Sequence, residues 1–167
     1  MSEWKIRSER PDDVKAIHEL TEQAFADVPF SDGSEPDIVD RLRNAGALAV
    51  SLICEIEGRP AGHIAFSKVS ISDGSKGWYG LGPISVKPSL QRQGIGTALV
   101  RAGLEDLRQL DASGCVVLGD PGFYGRFGFQ NDPRLALAGP AARFFQCIAL
   151  AAKQPRGMVS YHPAFDG

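Results

Sequence analysis

The segment between Val86 and Leu99 places two glycines and a basic side chain where a predicted strand gives way to a predicted helix. The first N–H groups of a helix have no partner within it and lie at its positive end, which suits a phosphate or a diphosphate. Gly94 and Gly96 let the main chain approach such a ligand where a Cβ would intrude. Arg92 can add a charge-assisted hydrogen bond. The segment therefore predicts a site for a ligand that carries phosphate groups.

Two common nucleotide-binding motifs do not fit this segment. A Walker A motif needs a Lys-Ser or Lys-Thr pair after its last glycine, and no such pair follows Gly96. The dinucleotide motif G-x-G-x-x-G needs a third small residue where Leu99 stands. A pair of glycines alone also occurs in tight turns. The prediction therefore rests on the combination of a strand, Pro88, the pattern Gln91-x-x-Gly94-x-Gly96, and an amphipathic helix.

The cysteines and histidines favour structural roles over a metal or redox site. The three cysteines are far apart, each in an apolar run, and none forms a C-x-x-C pair: Cys54, Cys115 and Cys147. This pattern predicts buried free thiols in a reducing compartment, with a zinc site or a catalytic cysteine as the alternatives. The residues around His18 resemble half of a metalloprotease helix, but the second histidine is missing. No metal site is predicted.

The elements that must position these residues follow from hydrophobic periodicity and turn residues. Apolar residues at helical spacing predict helices over residues 11–26, 38–45, 94–110 and 121–127. Apolar or alternating runs predict strands over residues 4–7, 48–57, 61–71, 78–86, 115–118, 144–150 and 158–161. This order predicts an α/β (α+β) fold in which helices pack on a mixed sheet.

The overall composition excludes several functional classes. The chain has 167 residues, 43% apolar and 23% charged, with a net charge of −2, which predicts one globular domain over residues 1–167. The acidic balance argues against a nucleic-acid binder driven by bulk charge, although a local basic patch stays open. No apolar run is long enough to span a membrane, and the first residues lack the pattern of a secretion signal. A cytoplasmic location is therefore predicted.

Two motifs resemble those of the GNAT superfamily of N-acetyltransferases. The first is Gln91-x-x-Gly94-x-Gly96 in a strand-loop-helix unit, and the second, over residues 118–129, is a strand followed by a helix with Tyr124 and then Gly-Phe. Its Gly-Asp-Pro form is similar to that of a small bacterial group of acetyltransferases. The resemblance covers most of residues 3–162. It implies a mixed, mostly antiparallel central sheet of about six or seven strands, splayed at an acetyl-CoA cleft, with helices on both faces.

The resemblance also implies a reaction and the residues that serve it. In this family, an amine attacks the thioester of acetyl-CoA directly and passes through a tetrahedral intermediate. The matching catalytic groups are the Val86 N–H, which would stabilise the oxyanion, and Tyr124, which would protonate the thiolate. Packing beside the CoA arm is the alternative role of Tyr124, and no metal is implied. The residues implied to bind the cofactor are Ile84, Ser85, Val86, Gln91, Arg92, Gln93, Gly94, Ile95, Gly96, Thr97 and Tyr124.

The acceptor side carries no motif, and the general base is not identified. Four carboxylates in and after a polar loop either attract a cationic amine or are only solvated: Asp27, Asp32, Glu35 and Asp37. His63 either faces the cleft or is structural, and Trp78 and Tyr79 either line the substrate pocket or cover the sheet. Asp120 either caps the helix that follows it or binds a proton through water. Arg126 either reaches a phosphate or the substrate, or lies on the surface.

These expectations favour an acetyl-CoA-dependent N-acetyltransferase whose acceptor is an amine on a small molecule or a protein. A non-catalytic acyl-CoA-binding or sensing module and a structural subunit that kept the fold are the alternatives. Tyr124 together with the glycine loop favours the enzyme. No nucleic acid or membrane partner is expected, and the resemblance leaves a homodimer open, because many members of the family pair.

Overall fold

A computed structural model describes residues 3–166 of the chain. The helices are α1 (Val14–Phe25), α2 (Glu35–Asn44), α3 (Ile95–Gln109) and α4 (Pro121–Tyr124). The strands are β1 (Trp4–Ser8), β2 (Leu48–Ile56), β3 (Arg59–Lys68), β4 (Ser70–Ile71), β5 (Trp78–Val86), β6 (Gly114–Leu118), β7 (Leu135–Ala136), β8 (Phe145–Ala149) and β9 (Gly157–Ser160). None of the helices within residues 3–166 is both long and apolar enough to cross a bilayer.

Six of the strands form one sheet in the order β1-β2-β3-β5-β6-β8. Its neighbouring pairs are antiparallel except for β5 and β6, which are parallel. A second sheet of three strands holds β4, β9 and β7. The predicted mixed, mostly antiparallel central sheet is confirmed.

Three predicted elements differ from the structure. The helix predicted over residues 11–26 begins as a 3-10 turn, Pro11–Asp13, before α1. The strand predicted over residues 61–71 is divided, because Val69 makes a last bond to the Trp78 carbonyl at 3.1 Å and β4 then turns to pair with β9. The helix predicted over residues 121–127 is a four-residue α-helix followed by a 3-10 turn. The turn ends at Gly128, whose left-handed φ of 101° suits glycine.

Helices cover both faces of the main sheet because successive side chains of a strand point to opposite faces. Leu52 of β2 belongs to the same core as Leu99 of α3. Its neighbour Ile53 packs instead with Ile17 of α1 and Val39 of α2. The α3 helix and the pair formed by α1 and α2 therefore lie on opposite faces, as predicted.

The parallel strands β5 and β6 separate after a short paired segment. Only residues 78–80 of β5 pair with β6. Beyond them, β6 keeps its pairing to β8 as far as Leu118, whereas an extra residue of β5 between Leu81 and Ile84 forms a bulge opposite β3. A bulge bends its strand and ends regular pairing. The result is a gap between the two strands at their carboxyl ends, which is the predicted splay.

Candidate active site

The N-terminus of α3 presents main-chain N–H groups that have no partner. Gly94 precedes the helix with a left-handed φ of 93°. Within residues 3–166, the N–H groups from Gly94 to Thr97 donate no hydrogen bond, and the next one, of Ala98, donates to the Gly94 carbonyl at 3.0 Å. Aligned free N–H groups at the positive end of a helix form an anion site. The start of α3 therefore has an arrangement that suits an anion, and the phosphate loop stays a prediction.

The main chains of Ile84 and Val86 face the gap between β5 and β6. Val86 of β5 faces Gly62 of β3. The neighbouring hydrogen bond joins the N–H of Lys87, one residue after Val86, to the carbonyl of Ala61, one residue before Gly62, at 2.8 Å. In an antiparallel ladder, this makes Val86 and Gly62 a non-hydrogen-bonded pair, so the N–H and C=O of Val86 point away from β3. Ile84, two residues earlier, has the same orientation. Both residues therefore offer main-chain groups where β6 has moved away.

Ser85, between these two residues, has the opposite orientation. It faces His63 on β3, and the alternation of the ladder directs its N–H and C=O toward that strand. Its side chain is buried, with a hydroxyl that has no partner within residues 3–166. Of the three consecutive residues predicted to bind the cofactor, the structure therefore turns the main chains of Ile84 and Val86 toward the gap and that of Ser85 away from it.

Gln91, the first residue of the loop motif, connects the loop to the end of β5 by a hydrogen bond. Its side-chain Nε2 donates to the Val86 carbonyl at 3.2 Å. The bond fixes the start of the loop against the strand whose main chain faces the gap. The sequence pattern marked Gln91 without indicating this role, because the partner is a main-chain atom.

A groove of about 580 Å³, the loop groove, joins these features. Its other walls include Phe25 and Val28, at and beyond the end of α1, and Phe123 and Arg126, beyond β6. The predicted cofactor residues that line it are Ile84, Val86, Gln91, Arg92, Gly94, Ile95, Gly96 and Thr97. Those that do not line it are Ser85, Gln93 and Tyr124. Phe25 and Phe123 were missed because apolar residues at helical spacing indicate core as readily as a groove.

Arg126 is held beside the free N–H groups of α3. Its Nη2 donates to Thr97 Oγ1 at 3.0 Å, and its guanidinium lies 4.9 Å from the centre of the Phe123 ring. A cation over an aromatic face is attracted to the ring and keeps its orientation. The side chain is exposed, but its charged end adds positive potential where an anion would bind the helix.

The ring of Tyr124 is buried between aromatic neighbours and the end of β6. Phe123 and Phe129 meet it edge-on, with ring centres at 4.9 and 5.8 Å. Gly119 makes this packing feasible, since a Cβ there would clash with the Tyr124 ring. Burial raises the pKa of Tyr124 to about 12, so the phenol keeps its proton at neutral pH. The hydroxyl has no partner within residues 3–166 and is not enclosed, so it reaches solvent.

Tyr124 lies at the end of β6 that borders the gap. Gly80 of β5 lies opposite Val116 of β6, and the pairing of these two strands ends there. Tyr124 packs on Gly119, the residue that directly follows β6. Its ring therefore lies on the β6 side of the region where the two strands separate.

Burial and hydrogen bonding settle several of the open alternatives. Asp120 caps α4, since its Oδ1 accepts from the Gly122 N–H at 3.0 Å. Trp78 and Tyr79 are buried in two separate apolar cores and cover the sheet. The three cysteines are buried free thiols, as predicted: Cys54, Cys115 and Cys147.

A second cleft of about 550 Å³, the bulge cleft, opens along the bulged part of β5. It is bounded by residues 81–83, by side chains of α1 and α2, and by four residues of the C-terminal segment: Ser160, Tyr161, Phe165 and Asp166. Phe25 lines both this cleft and the loop groove, so the two cavities share a wall. Of the four predicted acidic residues, Glu35 is the one that lines the cleft, and its Oε1 accepts from Ser31 Oγ at 2.6 Å.

His63 is fully buried and lines neither cavity, which favours its structural alternative. Its Nε2 lies 2.8 Å from Ser51 Oγ, which in turn donates to Glu9 Oε1 at 2.6 Å. Because the Ser51 hydroxyl gives its proton to the carboxylate, it accepts from the Nε2–H of a neutral imidazole. Glu9 also accepts from Arg43 Nε at 2.8 Å. Burial lowers the pKa of His63 to about 4.

The buried imidazole predicts a loss of stability in mild acid. The folded-state pKa of His63 lies below the unfolded value of about 6.5, so its contribution is complete above that pH and disappears as the pH falls toward about 4. We expect the free energy of unfolding to fall by up to about 3 kcal/mol across this window. Urea unfolding between these pH values measures it.

The variant His63→Gln, which keeps a neutral donor for Ser51, should show a much flatter dependence on pH. The matched control is His18→Gln, because His18 is a partly exposed histidine of α1, with about a third of its side chain accessible. This control should keep the steep decline of the wild type. An equally steep decline in His63→Gln would contradict the assignment.

Comparison with known proteins places this geometry in a family. Residues 14–129 match the family model for the acetyltransferase (GNAT) family. The chain is 32% identical to the uncharacterized N-acetyltransferase YhbS of Escherichia coli strain K12, over 96% of this chain and 98% of that protein.

Two solved structures are similar to this one over nearly the whole chain. A GNAT family acetyltransferase from Brucella melitensis, in complex with acetyl-CoA, is 49% identical with a TM-score of 0.88 and covers 98% of this chain and 99% of its own. YhbS from Escherichia coli, in complex with CoA, is 30% identical with a TM-score of 0.91 and covers 100% of this chain and 94% of its own. By sequence and by fold, the chain belongs to the acetyltransferase (GNAT) family.

Proposed function

We propose that this protein transfers an acetyl group from acetyl-CoA to an amine. The observation that carries the proposal is the row of free N–H groups at the start of α3, beside the gap between β5 and β6. The row suits the diphosphate of CoA. The unpaired main chains of Ile84 and Val86 suit the amides of an extended pantetheine arm, which can pair with them as an added strand does. The complexes of the Brucella and Escherichia relatives with acetyl-CoA and CoA support this fit.

Each element of the site has a role in this reaction. The N–H groups of Gly94 to Thr97 bind the diphosphate, and Arg92 and Arg126 add positive charge. The Val86 N–H donates to the carbonyl oxygen of the thioester. It stabilises the negative charge that this oxygen gains when the carbonyl carbon becomes tetrahedral, because the donor is already in place and needs no reorganisation.

The transfer exchanges a C–S bond for a C–N bond. An acceptor in its ammonium form first gives one proton to water; the neutral amine nitrogen then attacks the carbonyl carbon with its lone pair and releases a second proton to water. The carbon–oxygen double bond re-forms as the sulfur leaves with the bonding electron pair. Tyr124, protonated because its pKa is near 12, donates a hydrogen bond and then its proton to that sulfur and is reprotonated from solvent. The products are an N-substituted acetamide and CoA.

Arg126 provides a first test of the cofactor assignment. The substitution Arg126→Ala should raise the Kd for CoA about 5- to 10-fold, because a charge-assisted contact to a phosphate is lost. The effect should shrink as salt screens the interaction. Isothermal titration calorimetry at two salt concentrations measures both.

The matched control for Arg126 is Arg143→Ala. Arg143 also lies over a phenylalanine ring, with its guanidinium 4.7 Å from the centre of Phe144. It does not line the loop groove. Its substitution should leave the Kd within about twofold of the wild type. Equal effects of the two substitutions would contradict a specific role for Arg126.

The proposed reaction is tested directly by turnover. The protein is incubated with acetyl-CoA and a panel of amines, polyamines, amino acids and peptides, and free CoA thiol and acetylated product are measured. We expect acceptor-dependent release of CoA with an equal amount of N-acetyl product. CoA binding without any such release would favour the sensing module, and no thermal shift at millimolar CoA would favour a structural subunit.

A further inference from the structure

The bulge cleft has a composition that selects among amines. Its walls are mainly apolar, and Tyr161 and Pro83 line it together with the apolar side chains Phe25, Ile38, Leu81, Leu118, Leu137 and Phe165. Ile38 and Leu81 are buried, at 7% and 5% exposure. A cavity of this volume is in the range that holds a small molecule. Apolar walls of this extent favour a ligand with an apolar body, because its transfer from water is favourable.

The charged groups of the bulge cleft are of one sign. Glu35 and Asp166 lie in its wall, and within residues 3–166 no lysine, arginine or histidine lines it. Arg41, the nearest cation in the sequence of α2, is turned to the C-terminal segment, where its Nε donates to the Ala164 carbonyl at 2.9 Å. Arg41 lies behind this wall and does not line the cleft, so the lining carries a net negative charge that attracts a cationic ligand and repels a carboxylate.

The position of the bulge cleft connects it to the proposed transfer. It opens on residues 81–83 of β5, directly before Ile84 and Val86, which face the gap. Phe25 forms a common wall with the loop groove. A ligand in the bulge cleft therefore lies next to the part of the strand where the thioester would be bound.

We propose that the acceptor is a small cationic amine with an apolar body and no acidic group, and that it binds in the bulge cleft. This inference rests on the proposed function. Its aryl or alkyl part packs against the apolar walls. Glu35 and Asp166 raise the local concentration of the ammonium form at the cleft. Amino acids are poor acceptors because they carry a carboxylate, and polar amines are poor acceptors because they have no apolar body.

Three compounds separate the two features. Phenethylamine carries an aromatic body and an ammonium group; phenylalanine adds a carboxylate to it; ethanolamine keeps the ammonium group without the apolar body. Calorimetry with the CoA complex measures their binding without turnover, and initial rates with acetyl-CoA measure kcat/KM. We expect phenethylamine to exceed both of the others by at least about 10-fold in each measurement.

The substitution Glu35→Gln tests the charge. The glutamine keeps an oxygen that accepts from Ser31, so the local bond is conserved. The KM for phenethylamine should rise about 3- to 10-fold, while the KM for acetyl-CoA stays unchanged. Asp37→Asn is the matched control, because Asp37 lies in the same helix outside the cleft. It should leave both KM values unchanged.

The outcomes distinguish this inference from the proposed function. If CoA does not bind, both fall together. If CoA binds and phenylalanine, ethanolamine or peptides are preferred, or if Glu35→Gln and Asp37→Asn act alike, the assigned acceptor class is overturned while the acetyltransferase stands. A preference for phenethylamine that weakens in Glu35→Gln and is unchanged in Asp37→Asn supports the assigned acceptor class.

Discussion

Replacing Gly96 by glutamate is expected to abolish the binding of CoA. A Cβ at this position would lie 3.8 Å from Phe123 Cζ and 3.9 Å from Val86 Cγ2, which is ordinary contact, so the first carbon fits. The carboxylate beyond it enters the loop groove in front of the free N–H groups. There it competes for those donors and repels the diphosphate. We expect the Kd for CoA to rise at least about 100-fold in isothermal titration calorimetry.

The control for this substitution is Gly96→Ala. It adds only a Cβ and no charge, so the Kd should rise far less than in Gly96→Glu, by no more than about 10-fold. The glutamate lies in the first turn of α3, where a negative charge favours the helix, and the fold should therefore be retained in thermal unfolding. Undiminished CoA binding by a folded Gly96→Glu protein would show that the diphosphate lies elsewhere.

Replacing Tyr124 by phenylalanine is expected to lower kcat about 100-fold while the Kd for CoA changes little. The ring and its contacts with Phe123 and Phe129 are kept, and only the proton donor to the sulfur is removed. Because the pKa of Tyr124 is near 12, the phenol stays protonated to pH 10. The ratio of wild-type to variant kcat should therefore be constant between about pH 7 and pH 10.

Tyr79→Phe is the matched control, since it removes a phenol from a tyrosine of the main apolar core. It should leave kcat unchanged. If kcat of Tyr124→Phe equals that of the wild type, water rather than Tyr124 protonates the sulfur. The alternative role of Tyr124, packing beside the CoA arm, would then be the correct one.

The parts of the fold that depend on local pattern were predictable from the sequence. The helical spacing of apolar residues in α3 and the two glycines at its start, Gly94 and Gly96, predicted both the helix and its free N-terminus. Alternating or continuous apolar runs predicted the strands of the main sheet. These signals are local, because each rests on the conformational preference of a few neighbouring residues.

The parts that depend on register and on distant partners were not predictable in the same way. The orientation of Ser85 follows from which residue of β3 faces it, and a shift of one residue would reverse it. The bond from Gln91 to the Val86 carbonyl joins a side chain to a main-chain atom that any residue carries. The departure of β4 from the predicted strand and the presence of β7 both depend on pairing with β9, which is distant in sequence from β4.

The acceptor side shows the same limit. Four acidic residues of the sequence were equal candidates, and the packing of α1 against α2 brings Glu35 into the bulge cleft. Asp166, its counterpart in the cleft, is distant in sequence and carried no signal. His63 had two open roles, and its burial beside Ser51 favours the structural one.

The central claim is that the main-chain N–H groups at the start of α3 bind the diphosphate of CoA. Amide resonances of a ¹⁵N-labelled protein, followed during titration with CoA, test it most directly. The account predicts that the largest shifts belong to residues from Gly94 to Thr97 and to Val86, and that ADP alone reproduces the shifts of the loop. Saturable binding of CoA that leaves these amides unmoved, with shifts confined to another surface, would contradict it.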